Sequence, residues 1–98
     1  MLLAHAVTLA DARSYVAALA DRAQTIDASV EYERVLLQLD WIHGDYIPGI
    51  SVVPTDVRDV LFDAAESAIE GLVEYGADAL QVELVLDMLL AAREKDTP

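Results

Sequence analysis

Asp40 and His43, a carboxylate and an imidazole one helical turn apart, form the pairing closest to recognisable chemistry in this chain of 98 residues. On a helix the Asp-x-x-His spacing puts both groups on one face, which resembles half of an inward-facing, carboxylate-bridged di-metal site. The other half needs a second such pair, and the only other histidine, His5, is expected to precede the first helix. A helix-end histidine meeting the C-terminal dipole is the plainer reading. A second array, Asp59, Asp63, Glu66, Glu70 and Glu74, advances by three or four residues and so lies along one helical face. That ridge could imitate a nucleic-acid backbone, receive a basic partner, lend carboxylates to a metal, or be a solvated outer face.

Nothing else in the chain completes an active site. There is no cysteine, which excludes disulfides, thiol nucleophiles and Cys-ligated metals. A Gly-rich phosphate loop, a G-x-S-x-G elbow and an H-E-x-x-H helix are all missing. Helical nucleotide pyrophosphohydrolases hold magnesium with Glu-x-x-Glu and Glu-x-x-Asp pairs, whereas Glu66, Glu70 and Glu74, and likewise Glu83 and Asp87, are separated by three residues. The expectation is therefore a protein that is not an enzyme, with no cofactor and no metal. A carboxylate-metal hydrolase using Asp40, His43 and glutamates of the third and fourth helices is the distant alternative.

Composition narrows the partners. Eighteen Asp and Glu against six Lys and Arg give a net charge of −12, which repels phosphate backbones and anionic membranes. Part of this charge could be the solvation chemistry of a high-salt proteome. Charges recur too often for a membrane-spanning run, and the apolar residues 1–10 lack a basic flank, so the expected location is cytoplasmic. With 55% hydrophobic residues the chain is too apolar for disorder, and its length suits one domain.

The elements that must position these residues are helical. Leu9, Ala12, Val16, Leu19, Ala20 and Ala23 recur at helical steps, with Thr8 as N-cap, and predict a first helix over 8–24. A second runs over 27–43 from Asp27 towards Gly44, with Val30, Leu37 and Trp41 on one apolar arc and Tyr32, Val35, Leu39 and Ile42 nearly opposite. The loop 44–54 follows, turned by Pro48-Gly49 and more apolar than a linker, so it folds back on the core or meets another molecule. Thr55 is expected to cap a third helix over 55–75, with Asp56 in its first turn and a stripe of Val57, Val60, Leu61, Ala64, Ala65, Ala68, Leu72 and Val73. Gly76 ends it, and Asp78 with Gln81 starts a fourth over 78–94 before a frayed tail. The fold class is all-α: a four-helix bundle, or two packed helical hairpins, with one long loop between helices two and three.

The fourth helix is apolar around most of its circumference, leaving Glu83, Asp87 and Glu94 one polar arc. Enclosing it together with a two-sided second helix strains a domain of this size. The leading expectation is therefore a non-enzymatic protein–protein interaction module, self-associating as a homodimer or docking a basic protein partner. Its anchors would be Trp41, Tyr46, Ile47, Ile50, Leu86, Met88 and Leu89, with Trp41 and Tyr46 also pairing to hold the loop. Small inhibitory or toxin-neutralising proteins fit this outline by analogy. The alternative from another class is an acidic nucleic-acid mimic whose ridge blocks a basic DNA- or RNA-binding groove.

Overall fold

The amphipathic stretches form four α-helices: α1 (Leu3–Asp21), α2 (Ile26–His43), α3 (Arg58–Gly71) and α4 (Ala79–Lys95), with a 3₁₀ turn (Leu72–Tyr75) continuing α3. The computed structural model describes residues 3–44 and 47–97, and no strand occurs among them. The architecture is an all-α four-helix bundle in which α1 packs on α3 and α2, α2 packs on α4, and α3 touches α4 more thinly. The helices thus close a ring in the order α1, α2, α4, α3.

The core follows the periodicity at most positions. Leu9, Ala12, Val16 and Leu19 of α1 meet Tyr32, Val35 and Leu39 of α2, Leu61, Phe62, Ala65 and Ile69 of α3, and Val82, Val85 and Leu89 of α4. No described helix is long and apolar enough to cross a membrane.

Helix ends show where local signals compete. Thr8 does not cap α1: its hydroxyl donates to the Ala4 carbonyl at 2.9 Å, an i−4 bond inside a helix that starts at Leu3. Thr25, rather than Asp27, caps α2 by accepting from the Ala28 N–H at 3.0 Å, which moves Asp27 into the first turn. The third helix begins three residues late. Thr55 accepts from the Val57 N–H at 3.1 Å in a tight local turn, Asp56 is drawn to Arg22 at 2.6 Å, and Val57 takes the cap position in extended conformation. Asp78 caps α4 as expected, accepting from Leu80 and Gln81, and Gly76 closes the preceding turn at φ +96°.

The buried stripe of α3 is rotated from the expected one. Phe62 and Ile69 are core residues, whereas Val57, Val60 and Val73 are exposed. Phe62 turns inward beneath Arg93, whose guanidinium lies 4.4 Å from the ring centre. The tail is also less free than expected. Asp96 accepts from the Gln24 N–H at 2.6 Å, and Thr25 donates to the Lys95 carbonyl at 2.8 Å, which ties the α1–α2 turn to the end of α4. These ties, together with Gln38 reaching Gln81 at 3.4 Å, run α2 and α4 antiparallel.

Candidate functional site

Asp40 is held by an arginine of α1. Arg13, four residues after Leu9 on the α1 stripe, donates through Nε to Asp40 Oδ1 at 2.8 Å and through Nη2 to Oδ2 at 3.3 Å. Its Nη1 donates to the carbonyl of Pro48, which is itself buried. Next to it, Ser14 accepts from the Ser51 N–H at 3.0 Å and donates to the Ala10 carbonyl at 2.7 Å. A fork-shaped guanidinium can satisfy a carboxylate and a carbonyl at once, so a single side chain joins α1, α2 and the loop. Ser14 is buried in this clamp.

His43 separates from Asp40 and joins His5. The start of α1 reaches Leu3, so His5 lies within that helix, one turn before Leu9, and not ahead of it. Its ring stacks on Tyr75 at 5.5 Å between centres and meets the His43 ring edge-on at 5.2 Å. His43 Nδ1 lies 2.9 Å from the Leu39 carbonyl. Nε2 of each histidine is buried with no hydrogen-bond partner among the described residues. Burial lowers the pKa of His5 below its ordinary value, and a charge on His43 lowers it further. The rings border a cleft of ≈ 380 Å³ that Trp41, Tyr75, Asp78 and Gln81 also line.

The α2–α4 pair carries an exposed apolar feature. Leu37 and Trp41, one turn apart on α2, are 68% and 80% exposed, and Leu80 and Leu84, one turn apart on α4, are 77% and 46% exposed. The Gln38–Gln81 contact runs between the two helices, with each glutamine next in sequence to one of these leucines. Of the two apolar arcs on α2, the core covers Tyr32, Val35 and Leu39, while Val30, Leu37 and Trp41 face outwards. The fourth helix is likewise only half enclosed.

The anchors expected from sequence are not one surface. Leu89 is a fully buried core residue, and Leu86 and Met88 are half-buried against the same core, because Val82, Val85 and Leu89 set the inward side of α4. Ile47 and Ile50 are half exposed on the loop, which Arg13 and Ser14 hold against α1. Tyr46 lies outside the described residues, as does its expected pairing with the exposed Trp41. The ridge does face outwards: Asp59, Asp63, Glu70 and Glu74 are exposed and Glu66 half-buried. Among the described residues Asp59 alone of these five is in an ion pair, with Arg93 at 3.5 Å.

Two features were legible only in part. Extending the α1 stripe backwards by one turn from Leu9 reaches His5, and forwards by one turn reaches Arg13. A histidine and an arginine on an apolar stripe signal buried polar partners, although not which ones. In comparisons with protein-family models, curated proteins and solved structures, the chain matches none.

Proposed function

We propose that this chain is a non-enzymatic protein-interaction module whose docking surface is the outer face of the α2–α4 pair. The observation that supports this most is the exposure of Leu37, Trp41, Leu80 and Leu84 on neighbouring helices. Large apolar side chains scattered singly are ordinary on a protein surface, but a cluster spanning two helices is the usual mark of an interface. A tryptophan beside leucines provides the kind of anchor that dominates binding energy. A second copy of the chain is the first candidate to cover this face, and a basic protein partner the second.

Salt distinguishes the two occupants. Exposed Glu33, Glu83 and Asp87 stand on the same two helices, so two copies facing each other repel at low ionic strength and associate more tightly in molar salt. A basic partner behaves in the opposite way. Light scattering after size exclusion at low and molar salt should therefore give a dimer that strengthens with salt and reverts to monomer on Leu84→Glu or Trp41→Ser. A monomer at every salt and concentration would eliminate the self-association form of the proposal.

The acidic ridge of α3 supports a second reading, in which the chain occupies a basic nucleic-acid-binding groove. Its unpaired outward carboxylates are available for such contacts. That reading requires partner binding to weaken steeply with salt and to be lost when Asp63, Glu66 and Glu70 are neutralised together. Retained binding by the triple variant would abandon it.

A further inference from the structure

We propose that His5 and His43 form a two-histidine binding site for a borderline divalent transition-metal ion, copper(II), nickel(II) or zinc(II), in the cleft that Trp41 also lines.

The tautomer of His43 is set by its neighbour. A carbonyl oxygen only accepts, so the 2.9 Å contact with Leu39 requires the proton on Nδ1 and leaves the lone pair of the neutral ring on Nε2. Metal-ligating histidines are commonly held in this way, with the remote ring N–H donated to a backbone carbonyl or a carboxylate. The nitrogen freed by that bond is buried and unpartnered, and so is Nε2 of His5. Buried polar atoms without partners are uncommon, and two on adjacent rings call for a shared cause.

The separation of the ring centres is within reach of one bridging ion, although it is also that of an ordinary edge-to-face ring contact. Bonds of about 2.0–2.1 Å to two imidazoles at a tetrahedral angle put the ring centres about 5 Å apart. The observed separation is 5.2 Å, with the ring planes inclined at 68°. Tyr75 supports the other ring by stacking on His5 at an interplanar angle of 13°. Among the described residues no group of three or more His, Asp or Glu side chains is placed to hold a metal, and the two histidines are the imidazole donors that border the cleft. Imidazole ligands favour copper, nickel and zinc over magnesium or calcium, which take oxygen donors.

Trp41 reports on the site because it lines the same cleft and is the sole tryptophan. Copper(II) chloride titrated near neutral pH into the chelator-stripped chain should quench Trp41 emission in a single saturable step, and zinc(II) should compete the quenching away. His5→Phe and His43→Phe keep a ring in each place while removing the donor, and each should weaken binding about tenfold or more, the loss seen even when a ligand's supporting partner is removed. Glu70→Gln on the acidic ridge should leave the titration unchanged. Non-saturable quenching, or equal midpoints in both histidine variants and the parent, would overturn the site. If either variant fails to fold by circular dichroism, NMR of the parent decides: zinc(II) must shift the imidazole resonances of His5 and His43, and unmoved rings at saturating zinc refute the proposal.

Discussion

Replacing Arg13 by methionine should be among the most damaging single changes in this chain. The arginine side chain is 10% exposed and that of Asp40 21%, so their two-pronged contact is mostly removed from water. Removing one partner of a buried pair costs about 3–5 kcal/mol, because the other charge is left uncompensated. Some water can reach Asp40, which reduces that part to about 2–3 kcal/mol. The Pro48 carbonyl, deprived of its donor, adds about 1 kcal/mol. A total of about 3–4 kcal/mol is a large share of the roughly 5–15 kcal/mol that holds a domain folded. Urea unfolding followed by circular dichroism would measure it, and at a slope of about 1.5 kcal/mol per molar the midpoint falls by roughly 2 M. Adding Asp40→Leu to Arg13→Met should restore about 1–2 kcal/mol by removing the stranded carboxylate. Because Arg13 and Ser14 are the clamps on the loop, residues 47–53 should also be cut faster by protease in the single variant while the helices persist. A loss below about 1 kcal/mol, or no coupling between the substitutions, would refute the assignment of Arg13 as the joint between α1, α2 and the loop.

Two glycines make opposite predictions. Gly76→Ala forces an L-residue to φ +96° and should destabilise by about 1 kcal/mol, although nothing crowds the new methyl. Gly71→Ala meets Thr8 Cγ2 at an ordinary 3.6 Å inside a helix and should stabilise by about 0.5–1 kcal/mol, and thermal unfolding of the two variants checks both signs. Tyr32 gives a pH test. Burial, reinforced by the Asp96 carboxylate, raises its pKa from 10.0 to about 12, so the folded state holds the phenolic proton more tightly than the unfolded chain. The stabilisation, about 3 kcal/mol by linkage, is present below the unfolded pKa and is lost as pH rises from about 10 to about 12. Urea midpoints across that window should fall in the parent and much less in Tyr32→Phe.

The residue order determined most of the helical framework by itself. Asp78 caps α4 and Gly76 ends the preceding turn because each acts on backbone groups within a few residues, where no distant contact competes strongly. The inward arc of α1 was equally legible, since Leu9, Ala12, Val16 and Leu19 repeat at the helical period, whereas α2 offered two apolar arcs and no local sign of which turns inward. Periodicity misjudged α3, where Val57 and Val60 match the stripe as well as Phe62 and Ile69 do. Only the neighbouring helices, with Arg93 over Phe62, decide which set turns inward.

The side-chain partnerships depended on tertiary structure throughout. Asp40 and His43 are one turn apart in sequence, yet Arg13 takes the first and His5 the second, from positions 27 and 38 residues away along the chain. No local pattern encodes such pairs, because they arise where α1 crosses α2 and the 3₁₀ turn. Likewise, the sequence marks α2 and α4 as apolar on more sides than one small bundle can cover, but which sides stay bare is a matter of packing. A ring of four helices gives each helix two neighbours and one interior. The arcs holding Trp41 and Leu80 are those that this closure leaves facing water.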